Sequence, residues 1–361
     1  MSEPAAVEPS QEPARPRFDV RTVALVGLFV LLILFTLRLA RSFLVPIAIA
    51  LLLDFLLSPV IRGLRRLRIK ESIGAALVVF GFVAVVGGSL FLLAEPAANW
   101  LERAPRSMAV VETRVKRLFR PIEQIQETAR AVEEVTRTPA QSTTEVQLAP
   151  PSLFQRVTGG TLALISTAFT VIFLTYFLLA AGDLFMQKLV GVLPLFSDKK
   201  KAVGISREIE AHISLYLSTV TLINLGLGLV TWAVLAAAGM PNAALWGAVA
   251  GLLNYVPYLG AIVTTFVIGV AALITFDSTG KALLMPGIFL GLNLIEANLV
   301  TPMVLGRQLP LNPVALFVGL LLWWFLWGIP GALLAVPMMV ALKIFCDHIE
   351  TLKPVGSFLG P

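Results

Sequence analysis

Residues 211–276 run for 66 positions without a formal charge, and no other feature of the chain restricts its fold so strongly. About 20 apolar residues suffice to cross the ~30 Å hydrocarbon layer of a bilayer, where every backbone N–H and C=O must be satisfied within the protein. Two simple crossings cannot use up such a run. It is punctuated by GMPNAALWG at 239–247 and NYVPYLG at 254–260, where Pro and Gly interrupt regular helix. Backbone groups freed by such breaks are tolerated at membrane depth only where protein or a water-filled cavity receives them. Residues 308–342 pose the same problem, with 35 uncharged positions that include Pro310, Pro313, Pro330 and Pro337. Both runs are therefore expected to form helical hairpins or re-entrant segments.

The rest of the chain agrees with a membrane solvent. It is 57% hydrophobic and 14% charged, with a mean hydropathy of +0.86, against about 25% charged residues in ordinary soluble domains. Further apolar stretches at 20–38, 43–62, 72–94 and 157–181 read as spanning helices. The expected fold is all-α, a polytopic transmembrane helical bundle of about eight spans with re-entrant or broken helices in the C-terminal half. Residues 1–19 read as a disordered tail, 20–94 as the first three spans, 95–156 as a water-exposed helical insertion, 157–346 as the region with broken helices, and 347–361 as a second tail.

The net charge of +6 does not point to nucleic acid. The basic residues gather at segment ends, in RRLRIK at 65–70 and KKK at 199–201, as the positive-inside bias of membrane proteins requires. Placing both clusters in the cytoplasm puts the N-terminal tail inside, the insertion outside, and Asp277 to Lys281 outside. Within the insertion, Val111, Val115, Leu118, Ile122, Ile125, Ala129 and Val132 alternate in steps of four and three, the seam of a packed helix. Pro121 is expected to break or kink that helix.

Catalytic and metal-binding patterns are not legible. His212 and His348 are far apart, and Cys346 is the sole cysteine, so neither an internal disulfide nor a cysteine-based metal site can form. No enzyme activity, cofactor or metal is expected. Intramembrane ionisable residues are costly and mark ion or substrate paths. Glu296 is the foremost candidate, lying mid-segment beside Asn293 and Asn298 with Pro302 close by; Arg307 is its nearest basic residue in sequence. Asp54 in the second span is a weaker one. Broken helices supply free N–H and C=O groups to a bound solute, which nominates Asn254, Pro257 and Gly260 in the first broken run and Pro330, Gly331 and Pro337 in the second. PNAALWG…YVPYLGAIV and NPVALFVG…GIPGALLAV also echo each other faintly.

Four blocks, LLLDFLLSPVIRGLRRLRI at 51–69, MPNAALWGAVAGLLNYVPYLGAIV at 240–263, IEANLVTPMVLGRQLPLNPVALF at 295–317 and GIPGALLAVPMMVALKIF at 328–345, give the chain a resemblance to the autoinducer-2 exporter family of bacterial permeases. The resemblance covers most of residues 20–346. It implies an eight-span transporter of the inner membrane with a variable extracytoplasmic insertion after the third span. It also implies homo-oligomeric assembly, a pentamer in some relatives. Family members are linked to export of a furanosyl quorum-sensing signal, others to sodium–proton exchange. Asn254, Pro257 and Gly260, with Glu296, Asn298, Pro302 and Gly306, match family motif positions and are carried over as transport-path residues, whereas Asp54 departs from the family pattern. With no nucleotide-binding motif, the function expected first is secondary export of a small polar solute. Proton- or sodium-coupled antiport through Glu296 and a non-transporting membrane scaffold are the alternatives. Besides the solute and a coupling ion, membrane lipid and further copies of the chain are the partners expected.

Overall fold

The computed structural model of the chain describes residues 20–130, 153–182, 196–305 and 311–360, with isolated positions between 183 and 195. Every regular element among them is helical. Five helical stretches are long and apolar enough to cross a membrane: Arg41–Arg66, Glu71–Trp100, Ala202–Ala237, Thr279–Val304 and Ile329–His348. The expected all-α polytopic bundle is thus the observed one. The tail at 1–19, the linker after 130 and the last seam position, Val132, lie outside the described residues.

Helix α1 (Val20–Leu39) meets α2 (Arg41–Arg66) end to end. The Ala40 N–H donates to the Thr36 carbonyl and its own carbonyl accepts from Phe43 and Leu44, so one residue, at φ −83° and ψ 11°, makes the whole junction. Two separate crossings with a reversal between them are not what this backbone forms. The bend withdraws the Leu37 carbonyl from the helical ladder, and the indole Nε1 of Trp327 donates to it at 2.9 Å.

Helix α3 (Glu71–Arg130) is a single 60-residue helix, about 90 Å long at 1.5 Å per residue and three times the thickness of the hydrocarbon layer. The third span and the first half of the insertion are therefore continuous. The helix passes through Pro121 rather than breaking there. One interior proline removes a single ladder bond at a cost of ~3 kcal/mol, which the many flanking turns of a long helix offset.

Helix α4 (Leu153–Ala181) runs parallel to α2. Leu57 and Ile61 near the end of α2 share a cluster with Leu179 near the end of α4 and with Ala75 and Val79 of α3. Helix α5 (Phe196–Ala237) joins the charged stretch around the lysines at 199–201 and the start of the long uncharged run in one 42-residue rod. Its charged half meets the end of α2 through Arg62 and Glu210, at 2.9 Å. Arg65 and Glu71 pair nearby, also at 2.9 Å, and His348 faces Glu208 at 3.3 Å. The two basic clusters thus share one end of the bundle, as the charge bias demands of segments on one side of a membrane. At the opposite end, Leu93, Ala97 and Trp100 of α3 pack with Met240, Trp246 and Phe276, and the rings of Trp100 and Trp246 sit edge to face at 5.1 Å. A cysteine at Gln124 is accordingly expected to react with an impermeant thiol reagent added outside cells, and one at Lys200 only after permeabilisation. The reverse pattern would invert the bundle in the membrane.

The described residues continue with α6 (Ala243–Leu253), α7 (Leu259–Thr275), α8 (Thr279–Ile295), α9 (Thr301–Leu305) and α10 (Pro313–Trp327). They are followed by α11 (Ile329–His348) and a terminal α12 (Lys353–Leu359). Asn312 caps α10 by accepting from the Val314 and Ala315 N–H groups, ahead of Pro313 in the first turn, the arrangement that best supplies the orphan donors of a helix start. Helices α10 and α11 form a hairpin closed by Gly328 at φ +67°. The terminal segment is itself ordered and packs back, the Leu359 carbonyl accepting from the Asn312 N–H at 3.0 Å.

Candidate transport site

Helix α6 holds 11 residues, about 16 Å, or half the hydrocarbon thickness. It descends antiparallel to α5 at backbone contact. A Cβ on Gly247 would lie 2.5 Å from the Gly228 carbonyl oxygen, and one on Gly251 would lie 2.8 Å from that of Asn224. This is the small-xxx-small device that lets helices approach without side chains between them. The chain then turns at 254–258 and leaves as α7, whose end at Phe276 packs in the same cluster as Met240. Both limbs therefore open toward one end of the bundle, and the tip of the hairpin stops inside it. Asn254 is paired with Asn224, 14 residues past Glu210 and 13 before Ala237. About 20 Å of helix lies on either side, so the tip sits near mid-depth. This is a re-entrant segment, formed where the sequence placed one. The α10–α11 hairpin is inserted from the other end: its open limbs lie with Leu359 and Glu208, and its tip meets Leu37. The faint sequence echo thus falls on two hairpins entering from opposite ends, as in transporters built from inverted elements.

The tip is strained. Tyr258 adopts φ +64° and ψ −52°, and the Leu259 N–H donates to the Pro257 carbonyl at 2.7 Å, a three-residue γ-turn with positive φ at a bulky side chain. Such conformations cost on the order of 1–3 kcal/mol and concentrate at ligand clamps and switch regions. Gly260 follows immediately because no side chain fits: a Cβ there would collide with the Leu253 carbonyl. The ring of Tyr258 in turn faces Phe317 of α10 with centroids 6.4 Å apart.

Three amides from three elements converge at this tip. Asn254 Nδ2 donates to Asn224 Oδ1 at 2.9 Å, and Asn293 Nδ2 of α8 donates to Asn254 Oδ1 at 3.2 Å. Asn224 is 2% exposed, yet its own Nδ2 finds no partner among the described residues. Tyr255 extends the set by donating to Thr221 Oγ1 at 2.8 Å. A buried unsatisfied polar group costs ~1–3 kcal/mol, so this unpartnered amide donor at mid-depth would gain from any acceptor that a movement of the tip brought to it. Asn224, Thr221 and Tyr255 were missed in the sequence because uncharged polar residues recur through the apolar run, in STVTLIN at 218–224 and NYVPYLG at 254–260, and nothing local marks which of them meet. The available signal was an Asn on each of three predicted spans.

One turn beyond Asn293, α8 widens into a π-helical turn over Glu296–Val300. Pro302 is the physical cause: it lacks the N–H that would reach the carbonyl four residues back, and its ring clashes with that carbonyl. The wider register relieves both, and such bulges are frequent at functional sites. Glu296, half-buried at the start of this turn, accepts a hydrogen bond from the Thr301 hydroxyl. Asn298 instead points outward, its Nδ2 donating to the Leu294 carbonyl of its own helix at 2.8 Å, and Pro302 is likewise exposed.

The nominated residues therefore do not form one cluster. Asn254, Pro257 and Gly260 make the tip, and Glu296 stands a turn from its third amide. Pro330 and Gly331 lie where α11 begins, just past the Gly328 break that closes the hairpin, with Pro330 in the first turn and Gly331 against the Trp323 carbonyl. Pro337 is buried inside α11. Asp54 is half-buried midway along α2, on the side facing the charges of Arg62 and Glu210. Gly306 and Arg307 lie outside the described residues.

A family model described as AI-2E family transporter matches residues 27–351. The chain is 28% identical over 350 residues to the AI-2 transport protein TqsA of Escherichia coli, covering 94% of this chain and 96% of the relative. It is 28% identical over 353 residues to a putative transport protein of Mycobacterium tuberculosis, 95% and 90% of the two chains. To a putative transport protein of Haemophilus influenzae it is 24% identical over 336 residues, 92% and 94%.

Proposed function

The chain belongs to the AI-2E transporter family, and from that premise we propose that it is a secondary transporter of the bacterial inner membrane that exports a small polar solute past the Asn224–Asn254–Asn293 triad. The observation that carries this reading is the re-entrant tip itself: three amides at mid-depth, one with an open buried donor, held by a strained turn. Amides donate and accept without a net charge, which suits an uncharged hydroxylated molecule. The name of the E. coli relative points to the furanosyl signal AI-2 as the first solute to try. Alternating access would come from rocking of the two oppositely inserted hairpins around this fixed level. Family membership also supports assembly as a homo-oligomer, with five copies as the number to test.

A second reading, proton- or sodium-coupled exchange, is favoured by the half-buried Glu296 carboxylate and its Thr301 hydroxyl partner beside Asn293. The two readings meet if Glu296 couples solute export to an ion. Flux of labelled solute in proteoliposomes, with and without imposed proton and sodium gradients, separates them. Glu296→Gln keeps the shape and removes the charge, so gradient-driven flux is expected to fall at least about ten-fold, the equivalent of ~1.4 kcal/mol. Asp54→Asn, on α2 and facing the charges of Arg62 and Glu210 rather than the amide triad, is expected to cost less. Unaltered gradient-driven flux in Glu296→Gln would leave that residue a structural part of the π turn.

A further inference from the structure

Away from the amide triad, α2 and α4 line a groove of about 670 Å³ beside the start of α2. One wall is Ser42, Phe43 and Pro46 of α2; the other is an aromatic ladder on α4. Phe169, Phe173 and Phe177 follow at four-residue intervals, with centroids 4.5 Å and then 6.0 Å apart. These residues are exposed, at 59%, 49% and 57%, on an apolar stretch of α4.

The groove has a direction. Its hydroxyl-bearing residues, Ser42 at the start of α2 and Ser166, Thr167 and Thr170 midway along α4, lie toward one end, and Phe177 closes the other. From Ser166 to Phe177 is 11 residues, about 16 Å of helix, close to the ~15 Å depth of one leaflet's half of the hydrocarbon layer. Arg41 immediately precedes Ser42, is exposed, and has no ion-pair partner among the described residues. Arg38, one turn earlier, is stacked on the Phe325 ring at 4.4 Å and so holds the junction rather than the mouth.

An apolar channel one leaflet long, with hydroxyls and an unpaired guanidinium at one end, has the polarity and length of a phospholipid. We propose that this groove binds an anionic phospholipid, one acyl chain lying along the Phe169–Phe173–Phe177 ladder and the phosphate meeting Arg41 with the hydroxyl of Ser42. Guanidinium forks recognise phosphate oxygens in pairs, and one basic residue near a membrane surface favours an anionic headgroup by about five-fold. A bound lipid would cover the exposed rings beside the start of α2.

The test uses the full chain in vesicles, with Phe173→Trp as a reporter and the wild-type emission subtracted. Vesicles carry brominated acyl chains on either phosphatidylglycerol or phosphatidylcholine. Phosphatidylglycerol is expected to quench the reporter with about five-fold higher apparent affinity, and Arg41→Gln should bring the ratio to about one. Phe169→Trp, one turn away, serves if the first variant does not insert. Equal quenching by both lipids in the Arg41 protein would reduce the groove to ordinary lipid contact. Absence of quenching by either, together with a smaller oligomer in the reporter variant, would mean that a second copy of the chain covers it.

Discussion

Gly260→Ala is expected to abolish transport and to lower the stability of the purified protein, because the added carbon has nowhere to go. It would strike the Leu253 carbonyl oxygen, and would stand 2.6 Å from the Leu253 carbonyl carbon and 2.9 Å from the Asn254 Cα. All three are backbone atoms, so no side chain can rotate away. Overpacking of this kind costs ~1–3 kcal/mol or more, and here it is relieved only by withdrawing the tip from between α5 and α8. Gly291→Ala supplies the comparison. Its added carbon meets nothing within 4 Å, and alanine is favoured over glycine inside a helix by ~0.5–1 kcal/mol. Thermal unfolding in detergent and solute flux should therefore separate the two: a lower midpoint and no flux for Gly260→Ala, a midpoint equal or higher with flux retained for Gly291→Ala. Full flux in Gly260→Ala would mean that the re-entrant tip is dispensable, as a scaffold would allow.

Asn254→Ala is expected to reduce flux by about ten- to a hundred-fold while the protein remains folded in the membrane. The change removes the donor to Asn224 Oδ1 and the acceptor of Asn293 Nδ2 together. Two buried amides then lose partners, at ~1–3 kcal/mol each, and the solute loses the central amide of the triad. Asn298→Ala is the paired control, since that side chain is exposed and bonds only its own helix. Equal losses in the two variants would show that flux responds to any polar deletion near the broken helices. The selective loss would instead separate the tip from the exposed face of α8, two places that the sequence motif treats alike.

The apolar runs, the clustering of Lys and Arg at their ends, and the Pro and Gly breaks were enough to specify an all-α membrane bundle with a re-entrant segment near 254–260. Each follows from one-dimensional physics: backbone groups in hydrocarbon must pair within a helix, and a proline or glycine marks where they cannot. The family blocks were equally legible, because they are contiguous. Continuity was less so. A proline in a heptad pattern predicts a break, yet α3 carries helix through Pro121, and α1 joins α2 through one residue because Trp327, nearly 300 positions away, caps the freed carbonyl. The site depended on the same long-range effect. Asn224, Asn254 and Asn293 are separated by 30 and 39 positions, and only the backbone contact of Gly247 with Gly228 sets the depth at which their amides meet. Asn298 and Glu296 are two residues apart in one motif, but the register change forced by Pro302 leaves Glu296 half-buried beside Thr301 and turns Asn298 outward. The sequence by itself determined which stretches are apolar enough for the membrane and that the run at 254–260 must break, since those depend on local polarity; the tertiary structure alone decided which other prolines are carried within a helix and which polar groups meet, because that depends on how closely separate helices can approach.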